Sequence, residues 1–286
     1  MDLIDTSEII IDTIDGYQIV GTKRSNKQKC KGVIIINCGT GIPQLVYGNF
    51  AEFLTQNGYD TITYDYRGIG KSAPKSLRGF KATLEDWGRY DMTAVFDWVI
   101  NSYPNDKKIV VGHSMGGQLI GLMQNNHQID QIFLIASSTG YWLDMSFPYK
   151  LIWPPIWFIF IPYSIFLYGY VKAKSMNQGE DLPKGVALQW KKWCTNPNYF
   201  DLDLASSDSP LYFNQIKVPL NSIQISDDPI ANNITASKIL RYYKNAIKRI
   251  EVISPEDLGV SRIGHTGFFS RKVKNPLWQN LLSEII

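Results

Sequence analysis

The sequence predicts an α/β protein with a mainly parallel sheet, helices on both faces and one inserted apolar helical segment. Three observations carry this. Apolar, β-branched runs alternate with stretches of helical periodicity between residues 33 and 136. A turn, Gly112-His113-Ser114-Met115-Gly116, falls between one such run and the helix that follows it. The alternation then stops after Ser137 and resumes at Val218.

The elements follow in order. Residues 8–13 and 17–23 are β-branched runs separated by Asp15-Gly16, a hairpin signal. Residues 33–37 are continuously apolar and end at Cys38-Gly39-Thr40-Gly41, as a strand buried on both faces would. Residues 43–56 have helical spacing and stop at Asn57-Gly58. A strand at 61–64, a helix at 84–101, a strand at 108–111, a helix at 115–126 and a strand at 131–136 complete the first part. After the interruption come a strand at 218–226, a helix at 231–245, a strand at 249–253 and a last helix near 276–284. Right-handed crossovers between such strands give a parallel sheet covered on both sides. The organisation read from this is a core of 1–139 and 216–286, with an insertion of 140–215.

Composition narrows the function classes. An apolar share of 44% and a charged share of 19% are those of a globular chain. A net charge of +3, with scattered Lys and Arg, offers no footprint for nucleic acid. The densest basic stretch, Lys71, Lys75, Arg78 and Lys81, reads as a solvated loop face. The three cysteines, Cys30, Cys38 and Cys194, have neither paired nor metal-ligand spacing, which suggests free thiols. The polar start at residues 1–8 lacks a secretory pattern, so the expected location is cytoplasmic.

The chemistry centres on Ser114. A serine hydroxyl is protonated at neutral pH and needs a base, a group orienting that base, and donors for the developing oxyanion. G-x-S-x-G between a strand and a helix is the context in which a serine is held on a sharp turn above a sheet edge. The base follows by elimination from three histidines. His113 lies inside the turn and is expected to point away from the Ser114 face. His127 falls near the end of the next helix, where an exposed cap is expected. His265 remains, in Gly264-His265-Thr266-Gly267-Phe268-Phe269, after the last strand.

The orienting acid is expected at a strand end between the two, in the order Ser, Asp or Glu, His. Asp227-Asp228-Pro229 ends a strand; Asp228 is the preferred member, with Asp227 left to the turn. Asp201, Asp203 and Asp208 fall in the insertion, and Glu256 and Asp257 lie too near His265 in sequence. The oxyanion donors are assigned by position to the backbone N–H groups of Met115 and Thr40.

With these residues in place, the sequence resembles the α/β-hydrolase superfamily, and the likeness spans nearly the whole chain outside the insertion. Asp65-Tyr66-Arg67-Gly68-Ile69-Gly70-Lys71-Ser72 is similar to the turn after an early strand in these enzymes, and Gly112-His113-Ser114-Met115-Gly116-Gly117 to their nucleophile elbow. Thr40-Gly41-Ile42-Pro43-Gln44 and Trp190-Lys191-Lys192-Trp193-Cys194 are similar to a bacterial group of hydrolases without a settled substrate. The resemblance implies an α/β-hydrolase fold, a Ser-Asp-His triad, an acyl-enzyme and no cofactor. One departure is Cys38-Gly39, where the superfamily usually has His-Gly. Gly70-Lys71-Ser72 is no phosphate-binding loop, because the glycine required five residues earlier is Asp65.

The insertion holds an uncharged run at 151–171, close to the roughly 20 apolar residues that span a bilayer. Pro154, Pro155 and Pro162 are expected to break it into short helices. Three roles stay open: a lid over the active site, a lid that also docks on a membrane surface, and a transmembrane segment. Trp153, Trp157, Phe158, Phe160 and Tyr163 are the expected lining of a dry pocket. The leading expectation is hydrolysis of a carboxylic ester with a hydrophobic acyl or alkyl part, ahead of thioesters and small amides. Acyl transfer and non-catalytic binding are the competing readings.

Overall fold

The computed structural model describes residues 4–28, 30–176, 179–205 and 210–286. These form an eight-stranded sheet in the order β1-β2-β4-β3-β5-β6-β7-β8. The strands are β1 (Ile4–Asp12), β2 (Gln18–Asn26), β3 (Val33–Asn37), β4 (Asp60–Tyr64), β5 (Lys108–His113), β6 (Gln131–Ile135), β7 (Pro219–Ile225) and β8 (Ile247–Ile253). β1 pairs antiparallel with β2, and β2 with β4; every other pairing is parallel. Every residue of β3, β4, β5 and β6 is buried. That requires cover on both faces, because alternate side chains point to opposite sides of a strand.

The helices are α1 (Gly48–Gln56), α2 (Leu84–Asp86), α3 (Thr93–Ser102), α4 (Met115–Gln118), α5 (Tyr149–Pro155), α6 (Ile161–Tyr168), α7 (Lys184–Cys194), α8 (Asp201–Ala205), α9 (Asn233–Leu240) and α10 (Gln279–Ser283). Thr83 opens α2 with a capping box completed by Asp86, and a π-helical turn at Trp87–Met92 carries the chain on into α3.

Two expectations are corrected. The helix expected over 115–126 is α4 followed by a 3-10 turn, Leu119–Leu122, and it ends there. Gly116, Gly117 and Gly121 are poor helix formers, and Gly121 is pressed so closely against the Phe213 ring that a Cβ there would sit at 2.3 Å. His127 lies exposed in a separate 3-10 turn. The second correction concerns the prolines. α5 and α6 join through a π-helical turn, Ile156–Phe160, into one run, Tyr149–Tyr168. The wider turn, in which the Ile161 N–H reaches the Ile156 carbonyl, re-aims the backbone bonds between Pro155 and Pro162. The run lies within the connection from β6 to β7, which are direct neighbours in the sheet.

All three cysteines are unpaired, with Cys38 and Cys194 buried. The Asp65-Tyr66-Arg67-Gly68 turn is a scaffold. Arg67 is held between Asp91 and Asp15 at 2.6 Å each, and the Asp65 carboxylate accepts the backbone N–H of Gln44 at 2.7 Å and of Lys71 at 2.9 Å.

Candidate active site

β3 and β5 are in register, with Asn37 opposite Gly112, so the loops that follow leave the sheet side by side. Ser114 sits between β5 and α4 at φ +50°, ψ −117°, a combination that side-chain-bearing residues rarely adopt. The glycines around it are steric requirements. A Cβ on Gly116 would stand 2.3 Å from the Asn37 carbonyl oxygen, and one on Gly112 would stand 2.5 Å from the Gly117 Cα. The turn is tied down from below: the Gly117 N–H and the Ser137 hydroxyl both donate to the Ser114 carbonyl, at 3.1 and 2.9 Å.

His265 approaches Ser114 from 151 positions away, with Nε2 2.9 Å from Oγ. Its Nδ1 lies 2.7 Å from Asp228 Oδ2. The other Asp228 oxygen accepts the N–H groups of Ile230 at 2.8 Å and Ala231 at 3.0 Å, and the carboxylate is fully buried. Burial opposes its ionisation, yet the His265 contact and these backbone donors outweigh that and hold its pKa below the usual value. The geometry therefore makes His265 Nδ1 the donor to Asp228 and leaves Nε2 to accept from Ser114.

Asp227 also serves His265, by another route. It accepts the backbone N–H of Ile263 at 3.0 Å and of Gly264 at 2.8 Å, fastening the loop on which His265 stands. Gly264, at φ +62°, supplies the left-handed turn that loop needs. The insertion acids are engaged elsewhere: Tyr242 donates to Asp201, and the Trp193 indole to Asp203. Asp208 lies outside the described residues.

Thr40 is half-buried in the loop after β3, and Met115 is the first residue of α4. The close packing of Gly116 on the Asn37 and Cys38 carbonyls brings these two segments to one edge of the sheet.

Two participants carry no motif signal of their own. His113 is completely buried, its Nδ1 2.8 Å from the Tyr47 hydroxyl and its Nε2 2.9 Å from the His265 carbonyl. The Tyr47 hydroxyl in turn accepts the Gly39 N–H at 2.8 Å. A carbonyl only accepts, so the proton of neutral His113 is on Nε2 and the Tyr47 hydroxyl donates to Nδ1. Burial lowers the His113 pKa to about 3, with the neighbouring His265 adding to the effect, so the ring is neutral at physiological pH. Only the proximity of His113 to Ser114 in sequence hints at this; Tyr47 offers no hint.

Thr40 also borders an apolar pocket formed with Trp153, Ile156, Phe160, Ile161, Leu182 and Trp190. Trp153 and Trp157 stack at 5.0 Å, and Trp190 packs edge-on to both. Of the expected lining, Trp153 and Phe160 face this pocket; Trp157 is buried behind it, while Phe158 and Tyr163 point outward. The indole N–H groups of Trp153 and Trp157 are buried without an acceptor among the described residues, a cost that a ligand or water oxygen would relieve.

Residues 28–176, with Ser114 among them, match the family described as serine aminopeptidase, S33. The chain belongs to this family of α/β hydrolases. The hydrolase is also similar to solved structures over almost its whole length. An esterase from Pyrococcus furiosus is 19% identical with a TM-score of 0.61, covering 98% of this chain and 91% of that one. A soluble variant of the monoglyceride lipase from Saccharomyces cerevisiae, solved with a substrate analogue, is 15% identical with a TM-score of 0.67, covering 99% and 95%. An esterase from Exiguobacterium antarcticum is 18% identical with a TM-score of 0.60, covering 97% and 98%. At such identities the likeness speaks for the α/β-hydrolase fold.

Proposed function

We propose that this hydrolase cleaves carboxylic esters whose acyl or alkyl part is apolar, through an acyl-enzyme on Ser114. The observation that carries the reading is the unbroken hydrogen-bond chain from Ser114 Oγ through His265 to the buried Asp228. Ser114 attacks the carbonyl carbon and His265 Nε2 takes its proton. Asp228 stabilises the imidazolium that results. The oxyanion of the tetrahedral intermediate is received by the N–H groups of Met115 and Thr40, each worth about 2.7–4 kcal/mol in the transition state. Collapse expels the alcohol, which leaves with the proton from His265, and water repeats the sequence to free the acid and Ser114.

The substrate class rests on the pocket beside Thr40. Apart from the Thr40 hydroxyl its lining is apolar and carries no charged side chain, which suits the hydrocarbon part of an ester. The esterases and the monoglyceride lipase among the similar structures agree with this direction. In the same reading the 140–215 segment is a lid, whose inner Trp cluster walls the pocket.

Labelling with a fluorophosphonate probe tests the nucleophile: wild type is expected to label and Ser114→Ala not to. A nitrophenyl ester series from acetate to decanoate tests the substrate class. Equal kcat/KM along the series would count against an apolar acyl pocket.

A further inference from the structure

The run Tyr149–Tyr168 turns one narrow stripe toward the protein. Trp153, Trp157, Ile161 and Ser164 are buried, at spacings that keep one helical face inward along nearly its whole length. The opposite face is exposed, and on a helix bathed in water it would carry polar and charged side chains. Here it is Leu151, Ile152, Phe158, Ile159, Tyr163 and Phe166, with Phe166 85% and Ile159 68% exposed. The run is apolar almost throughout, yet most of it is left uncovered by the rest of the protein. Lys150 is the one charged residue in the run.

Cations border this face. Lys191 Nζ lies 4.8 Å from the centre of the Phe158 ring, and Lys172 Nζ lies 4.7 Å from that of Tyr168. Exposed Arg78 donates to the Leu167 carbonyl at 3.0 Å.

We propose that the outer face of Tyr149–Tyr168 docks on an anionic lipid bilayer, with the helix lying in the plane of the interface. Its length would span a bilayer, but spanning would tear the Trp153–Trp157–Trp190 cluster from the body. The chain also returns to the body at once, through the Val171–Leu182 bridge. Lying flat keeps the inner stripe packed, sinks the Phe, Ile and Leu side chains to the acyl boundary and leaves the amines at headgroup level. A second copy of the chain fits less well. A two-fold pairing through this face would set Lys150, Lys172, Lys191 and Arg78 of both copies together, with no acid on the helix to answer them. The inner face of the same helix walls the pocket at Thr40, so docking would place that pocket next to lipid.

The test is flotation of the Ser114→Ala protein with unilamellar vesicles, of phosphatidylcholine alone or with roughly one-third phosphatidylglycerol. Using Ser114→Ala makes the result independent of whether the ester reading holds. The protein is expected to float with the mixed vesicles, less with phosphatidylcholine alone, and less again as salt rises. Ile159→Asp with Phe166→Asp should reduce partition by about tenfold or more without moving the thermal melt, since both side chains point outward. Lys172→Glu with Lys191→Glu should remove the preference for phosphatidylglycerol. A protein that stays in the soluble fraction with both vesicles overturns the proposal, as does an Ile159→Asp, Phe166→Asp variant that floats like its parent. A dimer in sedimentation that the same two substitutions dissociate, without vesicle binding, would overturn it and assign the face to a second copy.

Discussion

His113 Nε2 donates to the carbonyl oxygen of His265 across 2.9 Å, so the residue before the nucleophile holds the backbone of the proposed base. The Tyr47 hydroxyl, bonded to both Gly39 and His113, extends this contact to the loop carrying Thr40. Segments remote in sequence are thereby locked by three hydrogen bonds, two of them fully buried, with Phe269 packed on both the Tyr47 and His113 rings at 4.7 and 4.9 Å.

Tyr47→Phe removes one hydroxyl and strands two buried groups, the Gly39 N–H and His113 Nδ1. Because neither is proposed to touch substrate, the change should appear in kcat. A fall of about ten- to a hundredfold with KM nearly unchanged is expected, the scale of two unmade buried hydrogen bonds. His113→Gln, which can still donate to the His265 carbonyl, should retain more activity than His113→Leu. Steady-state kinetics on a soluble ester checks both.

Folding depresses the His113 pKa from 6.5 to about 3. Between those values the unfolded chain binds a proton that the folded chain refuses. The contribution to stability is therefore full above pH 6.5 and is lost progressively as pH falls toward 3. About 2 kcal/mol should disappear between pH 7 and pH 5 from this residue alone. Urea denaturation across that range should show the slope in wild type and a flatter one in His113→Gln.

The two adjacent acids should separate cleanly. Asp228→Asn loses the carboxylate that orients His265 Nδ1, and a fall of about 10⁴ in kcat is expected. Asp227→Asn weakens only the anchoring of Ile263 and Gly264, and should lower the melting temperature more noticeably than the rate. If Asp227→Asn were the inactive variant, the acid would be misassigned.

Glycine substitutions should rank by what a Cβ meets. Gly116→Ala drives a methyl to 2.3 Å from the Asn37 carbonyl oxygen, a backbone atom that cannot yield, and should abolish soluble folded protein. Gly259→Ala, at φ +63° with nothing within 4 Å, should cost only about 1–2 kcal/mol. Expression yield and thermal melts distinguish the two.

Trp190→Ala enlarges the pocket between Thr40 and the Tyr149–Tyr168 run. Preference in the nitrophenyl series should shift toward longer acyl chains, with short-chain turnover reduced. An unchanged chain-length profile would mean that the acyl group binds elsewhere.

The sheet and the Ser114 turn were legible in the sequence because their signals are local. Buried strands announce themselves as β-branched runs, and a strained turn between strand and helix announces itself by its glycines. His265 was reachable only because three histidines left so few choices. Helix lengths were less legible: Gly121 against Phe213 ends the helix after Ser114 early, and a π turn carries Tyr149–Tyr168 past prolines that a local rule treats as breaks.

What the sequence by itself determined is the alternating core and the position of Ser114 at its edge, since both follow from chain-local patterning and steric demand. The tertiary structure alone decided that Asp228 faces His265 while Asp227 grips its loop, where the His113 proton resides, and which side of Tyr149–Tyr168 is left uncovered. Each of these depends on ångström-scale distances between segments far apart in the chain, and no local pattern of residues encodes a distance of that kind.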